Sequence, residues 1–254
     1  MTMTELFGEA LALMEETFTV LEARVPRPQR VPVGDGYWYR YVEATPQQAV
    51  VQKLARYVSG LRAARLLNEH GFVQEQAALQ RMLDEFGEDI AFLSIGLKTG
   101  LTERHRDYLT YFYAEEFADP DAPLQPGASR RPTVPRQKIQ SYLVRHVIGE
   151  DVNPALASSA FKTVSGAYSG FVHGASPQIM DMYGGDPPRF HLAGMLGTPR
   201  VEGAEQDLWN YVFRGLLALA FAAAAFGEDD LFEELRRRIT DFERKSGTSF
   251  LTPP

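Results

Sequence analysis

The 254-residue chain contains no cysteine, which excludes disulfide bridges, thiolate metal sites, cysteine nucleophiles and prenylation together. It also lacks a long uncharged apolar run. The longest, Gly215 to Gly227, has 13 residues. A bilayer span needs about 18 or more, so this run reads as a buried core helix. No basic residues precede the first apolar stretch, and Glu9, Glu15 and Glu16 interrupt it, so no signal peptide is expected. An excess of positive charge is missing as well. With 26 basic and 33 acidic side chains the net charge is −7, which argues against a general nucleic-acid coat or a polybasic membrane binder. There is no P-loop, no Gly-x-Gly-x-x-Gly after a strand, no His-Glu-x-x-His, no Glu-x-x-His pair and no EF-hand loop. These absences lead to the expectation of no metal, no cofactor and no membrane partner, in a cytoplasmic protein.

What is present is helical punctuation. Leu6, Ala10, Leu13, Thr17, Leu21 and Val25 form an apolar stripe on a first helix near residues 4–24. Pro26–Gly36 reads as a loop, and Tyr37-Trp38-Tyr39-Arg40-Tyr41 as a short extended segment. Thr45-Pro46, a cap followed by proline, opens a second helix that stops before Gly71, with Val50, Leu54, Tyr57, Leu61, Ala64 and Leu67 at helical spacing. A third helix spans about 72–98. Its inward side is Val73, Ala77, Leu83, Phe86, Ile90, Leu93 and Leu97, and Gly100 stops it. Thr102 starts a fourth, which ends before Asp119-Pro120. The Pro-rich stretch 119–134 is an irregular linker. Beyond it the pattern predicts helices over 135–148 and 153–173, a short one from Ser176-Pro177 to Gly184-Gly185, and helices over 204–226 and 228–245. The intervening loop 186–203 has room for a short hairpin around Phe190-His191-Leu192. The fold class is all-α, a compact bundle of about eight helices. We expect one domain over residues 1–254, with an N-terminal helix and loop 1–45 and a helical core 46–245. The Ala/Leu-rich 204–226 helix needs apolar partners on most sides, from both halves of the chain.

Charge is unevenly placed. Ala122–Gly149 has no acidic residue but carries Arg130, Arg131, Arg136, Lys138 and Arg145. Such a stretch can grip the phosphates of RNA or a nucleotide. It can equally be a solvated face whose arginines pair with the acidic remainder of the same molecule. Between Gly166 and His191 the chain gathers Tyr168, Ser169, His173, Asp181, Tyr183, Arg189 and His191 among several glycines. Ser169 and His173 are four apart and share a helix face. At a helix C-terminus the His173 cation is favoured, so the ring can serve as acid, base or anion partner. The plainer reading is a helix-ending residue before Gly174. On the catalytic reading His173, Ser169, Asp181 and His191 carry the chemistry, and Tyr168, Tyr183 and Arg189 join the basic residues in ligand binding.

The helix Leu61-Arg-Ala-Ala-Arg65-Leu-Leu-Asn-Glu69-His70, the long helix after it and the Tyr-Ser-Gly-Phe-Val-His-Gly element resemble a family of uncharacterised bacterial all-helical proteins. That family is similar, more distantly, to the HEPN (higher eukaryotes and prokaryotes nucleotide-binding) superfamily. The likeness covers roughly residues 50–230. It implies a helical bundle, often a homodimer. Many superfamily members are metal-independent ribonucleases of toxin or phage-defence systems, and others are inactive binding modules. Their signature, an arginine followed four to six residues later by histidine, is met here by Arg65 and His70. Three functional expectations follow. The first is a non-catalytic binding or regulatory module, defence-related and able to bind RNA or a nucleotide, a second copy or a neighbouring protein. The others are a HEPN-like ribonuclease and a metal-assisted hydrolase.

Overall fold

Two of the long helices begin on a residue whose side chain satisfies an open backbone N–H group. The computed structural model describes residues 2–115, 133–148, 163 and 166–249. Helix α1 (Met3–Glu22) starts with a reciprocal box between Thr2 and Glu5, and α2 (Pro46–Glu69) with the same device between Thr45 and Gln48, proline following the cap. Gly71, at a φ of +73°, turns the chain into α3 (Val73–Thr99). Thr102 and His105 box the start of α4 (Glu103–Tyr113). Next come α5 (Arg136–Leu143), which runs into a π-helical turn (Val144–Ile148), then α6 (residues 166–173) and the short α7 (Ser176–Met180). The long α8 (Pro199–Phe226) and α9 (Asp229–Ser246) both end on left-handed glycines, Gly227 and Gly247. Among the described residues the strands form two antiparallel hairpins: β1 (Gln29–Val33) with β2 (Gly36–Arg40), and β3 (Tyr183–Gly184) with β4 (Arg189–Phe190).

The fold is all-α, a bundle centred on α8. This helix packs against α1, α2, α3 and α9, while α2 and α3 lie against each other. One helix among the described residues, α8, is long and apolar enough to cross a membrane, and 67% of its most apolar window is enclosed by the bundle. Helices on both sides of the 119–134 stretch supply that enclosure, as its composition demands. Gly215 marks a tight crossing of three helices. A Cβ there would stand 2.9 Å from Met14 Cε and from Tyr57 Cε1, so α1, α2 and α8 meet at a position where even a methyl group does not fit.

Four boundaries differ from expectation. The segment read as a loop over 26–36 contains strand β1, whose Val33 pairs with Gly36 across Gly34-Asp35. Pro32 is tolerated because each strand of a two-stranded ribbon is an edge. The helix expected over 135–148 gives way to the π-helical turn at Val144. Helix α7 stops at Met180, so Tyr183–Gly184 is free to pair with Arg189–Phe190. Helix α8 begins at Pro199 rather than 204, with Thr198 before the proline repeating the sequence signal of Thr45-Pro46. The helix expected over 153–173 lies partly outside the described residues, as does most of the linker.

Candidate functional site

A row of polar side chains runs along one face of α3 at four-residue spacing: Gln76, Gln80, Asp84 and Glu88, none more than 8% exposed. Side chains four apart on a helix stack one above another, and polar groups so enclosed need partners. Three of the four have them. Gln76 donates to the Ala204 carbonyl at 2.7 Å and accepts from Asn68 at 3.0 Å. Asp84 accepts from Arg214 through Oδ1 at 2.5 Å, while its Oδ2 has no partner among the described residues. Glu88 accepts from Gln140 at 2.9 Å, and next to it Asp89 takes Arg136 at 2.6 Å, Lys53 at 2.8 Å and the Tyr108 hydroxyl at 2.8 Å. These bonds fasten α5 and α8 onto α3.

Gln80 is the exception. It is 1% exposed, yet its Nε2 has no partner. The residue lines a cleft of about 370 Å³, together with Ala77 of α3, Phe171 of α6, Asp181 beyond α7, and Arg200 and Asp207 of α8. Arg200 is ion-paired with Asp181 at the rim. Burial pushes the Asp207 carboxyl above its ordinary range, and a hydrogen bond from the Tyr168 hydroxyl opposes that shift. The Tyr168 hydroxyl in turn is raised, first by burial and then by the Asp207 charge. Behind the cleft, burial likewise raises the Tyr211 hydroxyl, with the Asp84 charge adding to it. The wall therefore offers a carboxamide, a carboxylate, an aromatic ring and, at its mouth, a guanidinium. Among the described residues it contains no histidine and no serine.

Of the residues singled out in sequence, Asp181 lies in this cleft and Tyr168 points at its Asp207. His173 stands exposed at the end of α6, with no hydrogen bond or ion pair among the described residues, and the half-buried Ser169 lies one turn before it. His191 is half-buried near Gly185, its Nε2 unpartnered, outside the cleft. Tyr183 packs edge-on against Phe190 at 4.9 Å, and Arg189 is exposed. The Arg65 guanidinium bonds Glu69 at 2.7 Å, and His70 Nδ1 lies 2.8 Å from the Leu66 carbonyl, so both side chains engage their own helix. In the basic stretch, Arg136 is drawn into Glu85, Glu88 and Asp89. Lys138 and Arg145 are exposed, and Arg130 and Arg131 lie outside the described residues. The two other histidines are structural in geometry. His105 stacks on Phe92 at 4.0 Å with its Nε2 3.1 Å from that residue's carbonyl, and His146 stacks on Tyr142 at 4.0 Å.

Among the described residues no group of three His, Asp or Glu side chains is placed to hold a metal ion. Sequence reasoning missed Gln80, Asp207 and Arg200. The available signal was the repeated polar residue at every fourth position of an otherwise core-facing helix. Comparison with family models, with curated proteins and with solved structures returns no match to this chain.

Proposed function

We propose that this protein is a non-catalytic binding module that takes a nucleotide in the cleft between α3, α6 and α8. The observation that carries the reading is the unpartnered Gln80 amide in the wall of that cleft. A buried donor left without a partner costs about 1–3 kcal/mol, a cost that a ligand bonding there removes. A carboxamide presents a donor beside an acceptor, and rotation about its last bond exchanges the two. Such a group pairs in two-point fashion with a nucleobase edge, as glutamine does with adenine. Asp207 is a second polar contact in the same wall, Phe171 supplies a ring for stacking, and Arg200, ion-paired with Asp181 at the mouth, supplies a guanidinium that can turn to a phosphate. The volume of about 370 Å³ is within the range of small-molecule sites. Binding rather than catalysis is favoured because, among the described residues, the wall sets no serine, threonine or lysine nucleophile beside a general base.

The test is thermal unfolding of the full chain with each of the common ribonucleoside monophosphates. A nucleotide present at a hundred times its Kd stabilises the folded state by about 2.7 kcal/mol. We expect at least one to raise the Tm, and Gln80→Met, close in shape but without the amide, to abolish the rise while retaining helix content. A panel with no effect, or a rise that survives in Gln80→Met, would refute the reading.

A further inference from the structure

The hairpin β1–β2 lies at the margin of the bundle with its aromatic residues largely exposed. Tyr37, Trp38 and Tyr39 are between 43% and 56% exposed, although large apolar rings on a ribbon of this kind normally find a core. Strand alternation divides them between two faces. On one, the Arg30 guanidinium lies 4.4 Å from the Tyr37 ring centre and bonds the Tyr39 hydroxyl at 3.3 Å. On the other, the Arg40 guanidinium lies 4.7 Å over Trp38. Each face therefore presents an aromatic plane with a positive charge resting on it. Arg40 is neutralised by Glu115. Among the described residues neither Arg30 nor Arg27, just before the hairpin, makes a close ion pair, and Glu22 shares a cleft with Arg27.

We infer that this hairpin is a binding site for single-stranded nucleic acid, separate from the cleft and independent of its occupancy. Stacking on exposed aromatic and guanidinium planes suits unpaired bases of any sequence, and the two arginines outside close ion pairs suit the connecting phosphates. A duplex, whose bases are already stacked on one another, has no use for such planes. The local arrangement thus carries an affinity that the net charge of −7 would not suggest. A proline-rich peptide also docks on exposed aromatics, but it makes no use of Arg27 and Arg30.

The experiment uses intrinsic fluorescence of the full chain. Of its two tryptophans Trp209 is buried, so Trp38 reports on the hairpin, and Trp38→Phe assigns the signal. The protein is titrated with oligo-uridylate, with a duplex of equal length and with a proline-rich peptide. We expect saturable quenching by the single strand alone, weakening as salt rises. Tyr37→Ala should weaken binding about tenfold. Combined Arg27→Gln and Arg30→Gln should lower the salt slope by about 0.7 for each arginine lost. Both variants should retain their helix content, since none of the three side chains is in the bundle core. The inference fails if the single strand does not quench, if duplex or peptide quenches as well, or if the variants bind unchanged. Gln80→Met, which abolishes nucleotide binding in the cleft, should leave this quenching intact, so the two readings stand or fall separately.

Discussion

Removing Arg214 should expose how much of the bundle depends on the polar row of α3. Its guanidinium bonds Asp84 at 2.5 Å, with 28% of its own side chain exposed against 6% for Asp84. Arg214→Met keeps most of the stem volume but leaves the carboxylate enclosed without its counter-charge. Stranding a buried charge costs about 3–5 kcal/mol, and because water already reaches the arginine the lower end applies, about 3 kcal/mol. For a chain of this size that corresponds to a fall in Tm of about 6–12 °C. Asp84→Leu strands the other partner, but the guanidinium can turn to solvent, so the cost is about 1–2 kcal/mol. The double variant removes both charges and should lie within about 1 kcal/mol of the parent. The two substitutions are then coupled by at least about 3 kcal/mol. Urea unfolding of the four proteins at neutral pH gives each value from the midpoint. If the effects add to within about 0.5 kcal/mol, the pair is not interacting as described.

Two further outcomes test the packing. Gly96→Ala would set a Cβ 2.4 Å from His105 Nε2, in a stack already fixed by Phe92, so overpacking should cost about 1–3 kcal/mol in urea unfolding. Burial holds His105 below its ordinary value of 6.5, so the unfolded chain binds its proton first and stability falls as pH drops through 6.5 towards the folded value. His105→Gln keeps a residue that can close the helix-start box yet removes this titration, so its Tm should fall less than that of the parent between about pH 7 and 5.

Much of the bundle was legible because local chemistry and packing agree. Thr45-Pro46 marks a helix start on any backbone, and Leu54, Tyr57, Leu61 and Ala64 all enter the core as their spacing requires. Strand β1 reads as loop because Pro32, Gly34 and Gly36 are breakers in isolation, whereas a two-stranded ribbon has no interior strand for proline to interrupt. The cleft was not legible. Gln76, Gln80, Asp84 and Glu88 look like the solvated face of an amphipathic helix, and only the enclosure of that face by α5 and α8 turns them inward. The histidines drew notice by type, but type does not reveal that His105 is stacked inside the bundle while His173 faces solvent.

The most direct measurement is the side-chain NH2 signal of Gln80 in 15N-labelled protein, assigned by its loss in Gln80→Met, during titration with the ribonucleoside monophosphates. A ligand seated in the cleft should shift that signal, while the side-chain amide of Gln140, which bonds Glu88 outside the cleft, stays in place. A Gln80 signal that does not move with any of the four nucleotides would contradict the account.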